Sequence, residues 1–125
     1  MIINNRPKHL ALHKIKLPLS GYVSILHRIS GVLLFLALPF LLLLLDQSLR
    51  SIETYTSLTE NLAHPLLKLM LSGLLWAFLH HFCAGLRYLA IDLHLLPSLE
   101  AARASSRWVL AVSLTLTVVL GAKLW

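Results

Sequence analysis

Two short clusters of ionisable and hydroxyl side chains interrupt an otherwise greasy chain. The first is Ser24, His27 and Arg28; the second is His80, His81 and Arg87, followed by Asp92. Both sit within or beside long apolar runs, where an ionisable group is costly and marks a functional site. On a helix, positions i, i+3 and i+4 share a face, so Ser24, His27 and Arg28 point the same way. Neutral imidazole is a good axial ligand for haem iron. A haem also needs cations near the water interface for its two propionates. His81 lies six residues before Arg87, hence roughly 9 Å deeper along the helix. Gly85, four residues after His81, leaves room on that face for a flat macrocycle or a partner helix. His80 and His81 stand about 100° apart around the helix, so both cannot address one iron. A bis-histidine haem would then take its second ligand from another chain. A hydroxyl beside a guanidinium also suits a quinone, whose carbonyl oxygens accept hydrogen bonds. Plainer roles use the same residues. Ser24 can bond back to its own helix, Arg28 and Arg87 can anchor helix ends, and a histidine can donate between helices.

The elements that must position these groups follow from composition. The chain has 125 residues, 58% hydrophobic and only 13% charged, with a mean hydropathy of +0.78. A soluble domain carries about 25% charged residues, and one this small cannot bury so much apolar material. The bilayer is the remaining solvent. A single cysteine excludes an intramolecular disulfide framework and a cysteine-cluster metal site. Uncharged runs cover residues 29–45, 69–86 and 108–122. Backbone polar groups in hydrocarbon must be satisfied internally, so each run is a helix. The expected fold is an all-α membrane protein of one domain, 1–125. It has a surface segment over 1–20 and three transmembrane helices at about 22–45, 65–90 and 104–124. Pro39 predicts a kink in the first.

Basic residues set the direction. Arg6, Lys8, Lys14 and Lys16 precede the first span; Arg87, Arg103 and Arg107 flank the second loop. The first loop has Arg50 against Asp46, Glu53 and Glu60. The N-terminus and second loop are therefore expected in the cytoplasm, and the C-terminus in the periplasm. The net charge of +6 follows from this asymmetry and does not call for nucleic acid. His9, His13, His64 and His94 read as solvated, and His80 as facing a partner helix or the lipid interface. The topology brings the start of the first span and the end of the second into one leaflet.

The stretch from Ser24 to Gly31, with Arg6-Pro7 upstream, resembles the first signature of the cytochrome b556 subunits, the C-type membrane anchors of succinate dehydrogenase. The stretch from His81 to Asp92 resembles their second signature: His, three residues, Gly, an apolar residue, Arg, and Asp five residues on. Tyr88 departs from the His or Phe usual there. The resemblance covers nearly the whole chain. It implies an anchor subunit of succinate:quinone oxidoreductase, linking the tricarboxylic acid cycle to electron transport in a bacterial inner membrane. It implies haem b with His81 as the iron's axial ligand, and a second membrane-anchor subunit supplying the other ligand. Ser24 and Arg28 would line the ubiquinone site, with His27 and Arg28 near the haem propionates. Arg87 and Asp92 would serve the dock for the iron–sulfur subunit. Succinate chemistry would belong to that subunit and a flavoprotein subunit, because this chain has no dinucleotide fingerprint or cysteine cluster. Three rivals remain: a fumarate reductase anchor, a cofactor-free small membrane protein, and a transporter. The last would want an acidic residue in mid-membrane, and all five acidic residues lie outside the apolar runs.

Overall fold

A computed structural model describes residues 16–125. Most of the expected surface segment, with Arg6, Pro7, Lys8, His9, His13 and Lys14, lies outside the described residues. The described chain is all-helical: α1 (Leu19–Arg50), α2 (Ile52–Leu62), α3 (Pro65–Asp92) and α4 (Leu99–Leu124). Three of these, α1, α3 and α4, are long and apolar enough to cross a membrane.

The long helices outrun the apolar stretches that announce them. α1 passes without a break through Pro39 and ends in a solvated Arg50–Asp46 pair at 2.6 Å. α4 starts at Leu99, where the Ser98 hydroxyl accepts from the Ala101 N–H at 3.0 Å. An N-cap of this kind satisfies one of the orphan donors of the first turn. Between α3 and α4, His94 takes a left-handed φ of 57° and Pro97 follows it, so the chain reverses. α2 is the element that the apolar runs do not announce. Ser51 caps it by accepting from the Thr54 N–H, and the Thr54 hydroxyl accepts from the Ser51 N–H in return. This reciprocal box nucleates a short helix without any long apolar run. His64 then caps α3, its ring nitrogen accepting from the Leu66 N–H at 3.3 Å, with Pro65 in the first turn.

The interior is small and polar, and the outside is greasy. Ala77, Ala84, Ser30, Ser106 and Ser113 are buried between helices, around a core of Val23, Ala84 and Val109. Phe35, Leu36, Leu89 and Val118 are exposed. In hydrocarbon, helices gain nothing by hiding leucine from its solvent, and small residues let the backbones approach. Side-chain contacts fix an up-down-up order. At one end the opening turns of α1 meet the closing turns of α3 through His27, His81 and Tyr88. The start of α4 joins the same end through Arg87. At the other end the Trp125 indole donates to Ser72 on α3 at 3.3 Å.

Candidate functional site

His81 sits in a cradle built by one turn of α1. Its Nδ1 lies 3.0 Å from the His27 carbonyl oxygen. A carbonyl can only accept, so Nδ1 carries the proton and the lone pair resides on Nε2. Among the described residues no hydrogen bond reaches Nε2. The His27 ring stacks on the His81 ring, centroids 4.2 Å apart and planes 10° apart. Gly31 closes the cradle: a Cβ there would stand 2.9 Å from His81 Cε1 and 3.3 Å from Nδ1. Ser30 completes it, donating to the His27 carbonyl at 2.9 Å with its Oγ 3.4 Å from His81 Nδ1. The arrangement would suit a metal-ligating histidine, one nitrogen tied to a backbone acceptor and the other left with its lone pair. No three His, Cys, Asp or Glu side chains converge among the described residues.

The remaining expected residues divide into two groups. Ser24 and Arg28 lie on the His27 face of α1, with Arg28 exposed and its guanidinium donating to Ser24 Oγ at a long 3.5 Å. Arg28 can only donate, so the Ser24 hydroxyl keeps its own proton for another acceptor. Tyr88 stands at the same end, its ring 5.2 Å from that of His27. Arg87 and Asp92 part company. Asp92 ends α3 at the surface. Arg87 turns into the bundle, donating to Ser105 Oγ at 2.9 Å and to the Ala102 carbonyl at 3.1 Å. Its side chain is therefore a strut between α3 and α4. Arg87→Met keeps the stem's bulk and removes both bonds. It should destabilise the subunit by about 2 kcal/mol, the scale of hydrogen bonds made by a charged group. Thermal unfolding in detergent reads this as a lower midpoint, and an unchanged midpoint contradicts the strut.

Sequence reasoning left Ser30 and Gly31 without a role and left open whether His80 faces a helix or lipid. The signal for the first two was spacing: they follow His27 by three and four residues, and so share its face. His80, expected on a partner or lipid face, is fully buried inside this chain's own bundle. Among the described residues neither ring nitrogen has a hydrogen-bond partner at ordinary geometry, nor does the Nε1 of Trp76, whose ring lies 5.4 Å away. Gly85, expected to allow a close approach, has only the His27 Nε2 near it, 3.8 Å from a would-be Cβ.

Residues 3–120 match the family model described as the succinate dehydrogenase/fumarate reductase transmembrane subunit. A succinate dehydrogenase cytochrome b556 subunit from Coxiella burnetii is 38% identical over 96% of this chain and 97% of its own length. Subunits of the same name from Rickettsia felis and Paracoccus denitrificans are 32% and 30% identical, over 95% and 92% of this chain and 93% and 88% of theirs. With matches across nearly its whole length and three spanning helices, this chain belongs to the succinate dehydrogenase/fumarate reductase transmembrane subunit family.

Proposed function

We propose that the chain anchors a succinate:quinone oxidoreductase, respiratory complex II, in a bacterial inner membrane. In this reading it holds haem b jointly with a second membrane-anchor subunit and forms part of the ubiquinone site. The observation that carries the reading is the His81 cradle, in which the Nδ1–H bond to the His27 carbonyl leaves Nε2 basic. The relatives named above are succinate dehydrogenase subunits, which supports succinate oxidation over fumarate reduction as the working direction. The N-terminus is assigned to the cytoplasm and the C-terminus to the periplasm, as the basic residues beside the spans require. The flavoprotein and iron–sulfur subunits then dock on the cytoplasmic side, at the His27, Arg28 and Asp92 end.

The roles of this chain's residues follow from their chemistry. His81 would hold the haem iron through the Nε2 lone pair, and the His27 carbonyl fixes its tautomer and ring orientation. When bound, haem b supplies a one-electron relay inside the membrane. Arg28 presents a permanent positive charge at the hydrocarbon edge, favouring propionate carboxylates and negative charge growing on a quinone oxygen. Ser24 holds its proton at Oγ, available to that oxygen.

The test uses the complex purified through an affinity tag on this chain. The flavoprotein, iron–sulfur and second anchor subunits should co-purify, and the reduced-minus-oxidised spectrum should show a b-type haem. In the Ser24→Ala complex, quinone reduction should fall about tenfold, since a hydrogen bond to developing charge is worth roughly 1.5 kcal/mol. Succinate oxidation by an artificial dye should stay intact. Equal loss of both activities rejects the Ser24 role, and a haem-free complex rejects the reading of the site.

A further inference from the structure

Ser30 is almost fully buried on α1 at 3% exposure, yet neither ligation nor quinone binding uses it. Its hydroxyl donates to the His27 carbonyl at 2.9 Å. The same oxygen accepts from His81 Nδ1 at 3.0 Å. As a carbonyl inside α1 it also accepts from the N–H four residues on. Three donors thus share one oxygen with two lone pairs. We infer that Ser30 is a positioning residue, which sets how strongly the His27 carbonyl holds His81 and so how strongly Nε2 donates to iron. This rests on His81 being the axial ligand.

The direction of the effect follows from distances. Ser30 Oγ can act on Nδ1 as a second acceptor, at 3.4 Å, or as a competitor for the carbonyl, at 2.9 Å. Hydrogen bonds weaken steeply with length, so the competing donation dominates. Remove the hydroxyl, and the carbonyl divides its lone pairs between two donors. The bond from Nδ1–H then strengthens and the imidazole becomes more basic. A more basic ligand favours ferric over ferrous iron, and the haem potential moves down. Ser30 therefore keeps the haem easier to reduce than the cradle alone would.

The experiment is a redox titration of the haem absorption in the purified, assembled complex. Ser30→Ala should lower the midpoint potential with haem content retained. Ser30→Thr should return the wild-type value, because a threonine hydroxyl on a helix reaches the same carbonyl three residues back. An unchanged or raised potential in Ser30→Ala overturns the inference, as does a threonine variant that shifts like alanine. If the alanine variant fails to assemble, Ser30→Cys carries the test: its thiol is a weak donor, and its potential should also fall. A cysteine variant at or above the wild-type potential overturns the inference. His81→Leu, titrated alongside, separates the layers. An unchanged haem band there removes the ligand assignment and this inference with it. A lost or shifted band there, with an unmoved Ser30→Ala potential, removes only the role of Ser30.

Discussion

Replacing His81 with leucine should abolish or shift the b-haem absorption band of the assembled complex. Leucine has no lone pair, and any ligation taken over by His27, whose ring stacks on that of His81 at 4.2 Å, would change the band. His80 is the nearest imidazole in sequence, yet it faces the buried core beside Trp76, a different side of α3 from the His27 contact. The substitution is also mild on the fold. The His27 carbonyl keeps Ser30 and its helical partner, so no buried acceptor is orphaned. Leucine is at home in a membrane helix. The lost Nδ1–H bond costs about 1 kcal/mol, too little to unfold the subunit. Band loss or shift in a complex that retains its subunits therefore reads ligation directly. His80→Leu is the control. It removes two unpartnered buried nitrogens, which should be neutral or stabilising, and leaves the band in place. A band unchanged in His81→Leu ends the assignment.

The spans were legible because their cause is local. Apolar runs report which residues touch hydrocarbon, and residues 29–45, 69–86 and 108–122 each fall inside a long helix. The same cause explains what the runs miss. A helix continues as far as its hydrogen bonds do, so α4 begins at Leu99 among charged residues. α2 is specified by the Ser51–Thr54 box, a signal of two residues rather than of periodicity. At the site, the helical spacing of Ser24, His27 and Arg28 and the depth of His81 were readable from one strand of text. Interhelical partners were not. Nothing near Arg87 in sequence says that its guanidinium is spent on Ser105 and Ala102, and nothing near His80 says that it turns inward. These depend on the rotation of each helix about its own axis, which is settled by packing. In a bundle whose interior is alanine and serine, close approach decides that rotation, and apolar patterning says little about it.

Close approach is what a methyl group at Gly31 would test. In Gly31→Ala, the new Cβ would meet His81 Cε1 at 2.9 Å, closer than unbonded carbons tolerate. The imidazole has no easy retreat. The His27 ring covers one of its faces at 4.2 Å, and Nδ1 is tied to the His27 carbonyl. Either the ring swings away and that bond breaks, or α1 and α3 separate and the small-residue packing loosens. Overpacking of this kind costs about 1–3 kcal/mol. Here the cost falls on the cradle, so haem affinity should drop about tenfold or more, each 1.4 kcal/mol being a factor of ten. Gly73→Ala, earlier on α3, is the comparison, because outside its own helix backbone no described atom lies within 4 Å of its would-be Cβ. That variant should retain haem, and alanine should add up to about 1 kcal/mol of helix preference over glycine. The measurement is haem per assembled complex for both variants. Depletion at position 31 with retention at position 73 marks His81 as held against α1 by the absence of a side chain. Equal haem in both would mean that the imidazole moves freely, and a freely moving imidazole could not present a fixed lone pair.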